Sequence, residues 1–341
     1  MPNPLKQITK RGLQHIAARF GRHTRTPHEP ELAILMYHRI LPQDDSRARL
    51  EEPGMIVTPQ TFRLHMRLLQ QYFTVISLSQ WIKQKANGEP LPERCVAITF
   101  DDGWADNYEF AYPILKQLSI PATIFLVSAM MDSNQQFWPE RLAQLLATIA
   151  KHHPDKWQRP ELQWITNTHT HYSFNHLPPD QEQLSEIIAQ IKQLTDNDIH
   201  MRIDTIENLL QLKTNASPDL LSWQQLAEMC ASGLIEAGSH TCHHIRLNDT
   251  QTEATQMAEI SQSKSQIEQH LSQAVTAFCY PNGDYSDFAV DQVAKLYDCA
   301  VTTNADWNTI KTNPYLLNRI GLHEDISADK TAFLARLSCW L

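Results

Sequence analysis

The most constraining feature of the chain is the run Val96-Ala97-Ile98-Thr99-Phe100, which ends abruptly in Asp101-Asp102-Gly103. An uninterrupted apolar run of this length, opened by Cys95, reads as a parallel strand buried on both faces. Two carboxylates at the exit of such a strand must be paired, protonated or bound to a metal, because burying them bare is costly. In α/β folds the carboxyl ends of the strands are where ligands bind. Taken alone, Asp-Asp-Gly is equally a helix cap followed by a turn glycine.

The flanking sequence repeats a strand–helix rhythm. Ala33 to Tyr37 is a first strand ending at His38, and Pro59 to Gln71 carries Phe62, Met66 and Leu69 at helical spacing. Phe73–Ile76 reads as a strand, and Ser79–Ala86 as a helix stopped by Asn87-Gly88. Asn107–Leu118 follows as a helix that Pro113 starts or kinks, and Ala122–Val127 as a strand. The rhythm resumes with a helix at 223–232, a strand at 234–237, a helix at 252–271 and a strand at 275–280. A helix at 287–296, strands at 299–303 and 317–322 and a helix at 328–337 close it. Alternation of this kind predicts a parallel sheet with right-handed crossovers.

Between 131 and 220 the rhythm breaks. Trp138, Leu142, Leu145, Leu146 and Ile149 form one helical stripe, and Leu184, Ile187, Ile188, Ile191 and Leu194 another. A third helical pattern covers Ile203–Leu212. The stripes read as the core of a helical insertion, with a lid over the site as the sharper alternative. His169 and His171 alternate along Thr166–Ser173 and would share one side of a strand; two histidines alone read as surface residues. The expected organisation is a basic N-terminal segment (1–31), a frame in two parts (32–130 and 221–341) and the insertion (131–220).

A net charge of −9 argues against general nucleic-acid binding. The six cysteines are scattered with no Cys-x-x-Cys, which suits reduced thiols in a cytosol-like compartment. No stretch approaches the roughly 18–20 apolar residues of a membrane span, and the start of the chain has no secretory apolar core. Residues 1–28 carry Lys6, Lys10, Arg11, Arg19, Arg22 and Arg25 and no acid, with Leu5, Ile8, Leu13, Ile16 and Phe20 roughly on one helical face. This segment is either an amphipathic helix for an anionic membrane surface or a docking helix.

His240-Thr241-Cys242-His243-His244 follows the strand at 234–237, so His240 and His244 belong on the same carboxyl-end face as Asp102. Histidines four apart come within reach of one ion. Two His and one carboxylate form a recurrent catalytic metal set, with zinc or a similar divalent ion able to acidify a bound water. Asp101, not needed as a ligand, is then positioned as a base.

Thr99-Phe100-Asp101-Asp102-Gly103 and His240-Thr241-x-x-His244 resemble the first two motifs of the polysaccharide deacetylases, the NodB-homology group or carbohydrate esterase family four. The resemblance covers roughly 32–127 and 220–325. It implies a distorted (β/α)7-type barrel, Asp101 as catalytic base, and Asp102, His240 and His244 as ligands of a divalent metal, most simply Zn²⁺.

The third family motif departs from pattern. In Phe278-Cys279-Tyr280-Pro281-Asn282-Gly283, Cys279 stands where the family often has the Arg that orients the base. A thiol cannot supply a charged bidentate fork, so the sequence leaves open what fixes Asp101. The resemblance implies an oxyanion donor in the backbone N–H of Tyr280 and a histidine general acid, for which His323 and His38 are the candidates. Arg319 reads as the partner of a nearby acid before it reads as a substrate contact. Asp306-Trp307 loosely matches a further motif, and Trp104 either stacks on a sugar or packs beside the turn.

These readings imply a metal-dependent hydrolase that removes N-acetyl groups from a bacterial surface polysaccharide or its lipid-linked precursor. The expected location is cytoplasmic, at the inner face of the cytoplasmic membrane. A non-sugar amide substrate, or a glycan-binding pseudoenzyme without the orienting Arg, are the alternatives.

Overall fold

The computed structural model describes residues 4–168, 171–211 and 219–340. Its frame is a curled, mostly parallel sheet. Six parallel strands lie side by side in chain order: β1 (Glu31–Tyr37), β2 (Arg94–Phe100), β3 (Ala122–Leu126), β4 (Ile235–Ser239), β5 (Ala277–Cys279) and β6 (Cys299–Val301). The short pair Asn308–Thr309 adds antiparallel to the outer side of β1. Residues 317–321 bridge the gap between the two ends of the curl. Leu317 pairs with Val301 of β6, and Ile320 and Gly321 pair with Leu35 and Met36 of β1. The expected barrel-like α/β frame is therefore present as a curled half-barrel.

Side-chain alternation along β2 creates two layers. Val96, Ile98 and Phe100 point outward into a core shared with the surrounding helices, among them Pro59–Tyr72, which is capped by Thr58. Cys95 and Ala97 point inward and pack with Leu32, Ile34, Phe125, Cys279 and Val301. The interior is narrow: a Cβ added at Gly238 of β4 would lie 2.4 Å from the Phe125 ring, so only glycine fits there.

The Asn107–Leu118 region is not one regular helix. Asn107–Ala111 forms a wider turn that passes into the helix Tyr112–Leu118. Pro113 lacks an N–H and sits in the first turn of the second piece, where none is required.

The helices Trp138–His152, Gln181–Ile191 and Asp196–Leu210 bury their apolar stripes in a core of their own. Leu142, Leu146, Ile187, Ile191, Ile199 and Ile203 are all fully inside it. A short helix, Gln163–Thr166, ends where the His169 and His171 segment begins, and His171 is exposed and bonded to Glu186 at 3.0 Å. His169 lies outside the described residues. At the other end of the chain, the helix Pro4–Phe20 packs on Lys330–Leu337 through the buried Ala17. Arg22 then fastens it to Glu31 and Asp306, each at 2.8 Å.

Candidate metal centre and catalytic carboxylate

Asp101 continues the inward alternation of β2, following Ala97 and Thr99. Asp102 would then point away, but its backbone turns left-handed (φ 72°), as does that of Gly103 (φ 77°). This uncommon conformation for a non-glycine residue brings the second carboxylate back toward the same cavity. Both acids line a space of 350 Å³, together with His38, His240 and His244.

His240 reaches the cavity as the inward residue after Gly238. The loop beyond it is drawn tight by left-handed Thr241 and His244, with the Thr241 hydroxyl accepting the His244 N–H at 2.9 Å. The Nε2 atoms of His240 and His244 stand 3.5 and 3.4 Å from Asp102 Oδ1. His240 Nδ1–H donates to the Cys279 carbonyl at 2.8 Å, which leaves the Nε2 lone pair facing Asp102. Burial pushes the His240 pKa down to about 4, helped by the neighbouring His244, and burial likewise lowers His244 to about 4. Both rings are thus neutral and ready to ligate.

Asp102 Oδ2 accepts a hydrogen bond from Trp104 Nε1 at 3.0 Å, whereas Oδ1 is buried without any hydrogen-bond partner. An orphaned anionic oxygen facing two neutral imidazoles is a donor set that fits a divalent cation. These three residues bring one ligand atom each within 4.8 Å of the others.

Trp104 is 2 % exposed, so it is not a platform for a sugar. Its ring lies under the Arg39 guanidinium at 4.0 Å, and Arg39 is pinned by Asp106 at 3.0 Å and Glu51 at 2.8 Å. Nothing in the spacing of Arg39, Glu51 and Asp106 marks them in the sequence. They form a buried support beneath the tryptophan that holds Asp102.

The residue that fixes Asp101 is Arg319, delivered by the segment that bridges the two ends of the sheet. It is fully buried and forms a two-pronged pair, Nη1 to Oδ1 at 2.6 Å and Nη2 to Oδ2 at 2.8 Å. Cys279 leaves room for this guanidinium, with Sγ 3.1 Å from Nη2. Burial opposes the charge on Asp101, but the adjacent Arg319 outweighs it and holds the carboxyl well below the usual carboxylate range.

The candidate proton donors separate. His38 lines the cavity with Nε2 3.8 Å from Asp101 Oδ2. His323 is not among the residues lining it, and its Nδ1 lies 3.7 Å from Asp325. The Tyr280 N–H, expected as an oxyanion donor, points instead to the Val301 carbonyl at 3.3 Å. It belongs to the pairing of β5 with β6. Trp307 is also structural: it is buried and donates to the Leu337 carbonyl at 2.8 Å.

The sequence model of the family described as polysaccharide deacetylase matches residues 88–299. The chain belongs to the polysaccharide deacetylase family. YxkH of Bacillus subtilis, which carries the polysaccharide deacetylase name, is 31% identical over 184 residues, 53% of this chain and 57% of its own length. The poly-beta-1,6-N-acetyl-D-glucosamine N-deacetylase of Staphylococcus epidermidis is 30% identical over 145 residues, 40% of this chain and 47% of its own. The chain thus spans about half the length of these curated relatives. Among solved structures, the Streptococcus pyogenes deacetylase PplD in complex with acetate superposes with a TM-score of 0.58 at 20% identity. That match covers 91% of this chain and 99% of PplD. IcaB from Ammonifex degensii gives 0.57 at 18% identity, over 90% of this chain and 97% of its own. Both likenesses concern the fold of this polysaccharide deacetylase family member.

Proposed function

We propose that this protein hydrolyses N-acetyl groups on an N-acetylated glycan, releasing acetate and leaving a free amino sugar. The observation that carries the reading is the division of labour between adjacent carboxylates. Asp102 Oδ1 faces His240 and His244, whereas both oxygens of Asp101, which also lies close to His240, are taken up by Arg319, which holds the carboxylate ionised. The relatives named for poly-beta-1,6-N-acetyl-D-glucosamine support a polymer of N-acetylglucosamine as the substrate class.

Asp102, His240 and His244 would hold a divalent cation, most simply zinc, which when bound polarises an acetamide carbonyl and makes a water more acidic. Asp101 then accepts the proton of the attacking water. His38 Nε2, on the same cavity wall, donates a proton to the departing amine. Asp101→Asn should lower acetate release from β-1,6-linked N-acetylglucosamine oligomers by about 10²–10⁴-fold while zinc content stays stoichiometric. His240→Ala should lose the zinc. If the metal-loaded protein releases no acetate from such oligomers or from lipid-linked sugars, the deacetylase reading is wrong. The pseudoenzyme alternative loses its main support, since Arg319 supplies the charged fork that Cys279 cannot.

A second reading concerns location. Among the described residues no helix is long and apolar enough to cross a membrane. Leu13, Ile16 and Phe20 of the N-terminal helix and the nearby Trp340 are 47 to 56% exposed, in a segment that is basic and free of acids. That combination supports peripheral contact with an anionic bilayer, and the cysteines, none of them paired, suit its cytoplasmic face. Sedimentation with phosphatidylglycerol vesicles, but not phosphatidylcholine vesicles, should pull down the protein. Leu13→Asp combined with Ile16→Asp should abolish this. Recovery of the native protein outside the cytoplasmic membrane would overturn the assignment.

A further inference from the structure

A second cavity, of 690 Å³, adjoins the one that holds Asp101, and Phe137, Trp138 and His244 line both. Its size falls within the range of small-molecule sites, about 300–1,000 Å³. One wall is built by the insertion. The helix Asp196–Leu210 buries Ile199, Ile203 and Ile206 and turns Asn197, His200 and Glu207 toward the cavity. The helix Trp138–His152 does the same, with Leu142 and Leu146 inside and Arg141 and an edge of the largely buried Trp138 lining the cavity. The opposite wall comes from the loop after β4 and the helix Glu253–Leu271, through His243, Gln251, Thr255 and Glu259.

The acids in this cavity already have partners. Glu207 pairs with Arg141 at 2.7 Å, Asp196 with Arg246 at 2.9 Å and Glu259 with His243 at 2.6 Å. The groups left to meet a ligand are neutral hydrogen-bonding side chains beside an aromatic edge. His200 belongs with them, because burial lowers its pKa and leaves a neutral ring with one donor and one acceptor. A wall whose charged groups already have partners offers little to an ionic ligand, whereas neutral donors and acceptors beside an aromatic edge suit the hydroxyls of an uncharged sugar.

We propose that the cavity between the helical insertion and the loop after β4 is a second sugar subsite, which receives the chain neighbours of the residue held at Asp101. This inference rests on the deacetylase reading and deepens it, from N-acetylated sugars in general to chains of at least two or three residues. Trp138, largely buried in the core of the insertion, offers only an apolar edge where the two cavities meet. Asn197 and His200, one helical turn apart, bond the hydroxyls of the next unit.

The test compares ligand length with and without turnover. Calorimetric titration of the zinc-loaded Asp101→Asn protein with N-acetylglucosamine and its β-1,6-linked dimer and trimer should give affinity rising at least tenfold from monomer to trimer. His200→Ala, placed in the same background, should erase most of that gain. Asn197→Ala, at an exposed position in the first turn of its helix, guards against misfolding and should erase part of it. In the active protein the same substitutions should raise KM for the trimer about tenfold with kcat nearly unchanged. Equal affinity for monomer and trimer, or length dependence that neither substitution alters, overturns the subsite. If the trimer binds as described but wild type releases no acetate, the subsite stands and the deacetylase reading falls.

Discussion

Arg319 grips both carboxylate oxygens of Asp101, at 2.6 and 2.8 Å, across 218 residues of sequence. The guanidinium is wholly buried and also donates to the Thr302 carbonyl at 2.8 Å, so its orientation is fixed from two sides. A candidate base is thereby kept ionised in a place where burial alone would protonate it.

Arg319→Met should expose that opposition. With the cation gone, burial raises the Asp101 pKa, so the acid limb of the rate profile moves toward neutrality. Asp101 is a group whose folded pKa is depressed. Its stabilising contribution is therefore present above the unfolded value, near 3.9, and is lost only as pH falls below that. Removing the partner of a buried ion pair costs about 3–5 kcal/mol at neutral pH. pH–rate and thermal unfolding profiles check both, and an unmoved acid limb would show that Arg319 does not set the charge on Asp101.

Trp104→Phe isolates the hydrogen bond to Asp102 Oδ2. Phenylalanine keeps the edge contact with Phe137, whose ring centroid lies 5.2 Å away, but has no N–H to donate. Loss of an outer-shell partner of this kind typically weakens metal affinity about 10–100-fold. Zinc titration against a competing chelator is the measurement, and unchanged affinity would mean that Asp102 is oriented by other contacts.

Much of this was legible in the sequence, for identifiable reasons. Strand β2 and its two acids stand out because an uninterrupted apolar run must be buried and its carboxylates cannot be left bare. His240 and His244 follow from a four-residue step after another strand. Arg319 could only be read as the partner of some nearby acid, since its pairing depends on a chain segment spanning the ends of the curled sheet. Arg39, Glu51 and Asp106 gave no signal at all, because three isolated charges far apart in sequence look like surface residues until folding buries them together. The contact of the Tyr280 N–H with Val301 was not legible either, because a local motif does not reveal which strand will take its N–H.

His65 provides a stability prediction away from the centre. It is fully buried, with Nδ1 3.0 Å from Tyr37 Oη, Nε2 2.7 Å from the Ser327 carbonyl and its ring stacked on Phe333. Burial lowers its pKa to about 4, against about 6.5 unfolded. Between these values the unfolded chain binds the extra proton, so stability falls as pH drops through that window, by about 1.4 kcal/mol per pH unit. His65→Gln removes the titration and should flatten the pH dependence of denaturant unfolding by that amount. An identical slope in the variant would refute the assignment.

Cys279→Arg, which would return the usual family residue to the third motif, should impair this protein. Cys279 faces inward, with Sγ 3.1 Å from Arg319 Nη2 and 3.7 Å from Asp101 Oδ2, so a second guanidinium would enter space that the first already fills. Two buried cations would then compete for one carboxylate, and the unmatched one carries the full cost of desolvation. The single substitution should lower the melting temperature and turnover together. Combining it with Arg319→Cys removes the competitor and restores one cation to one carboxylate. A double-mutant cycle should therefore show coupling of about 0.5–3 kcal/mol in the favourable direction. Additive effects would mean that Arg319 and Cys279 do not share the volume around Asp101, and that the charged fork tolerates only one point of attachment to the fold.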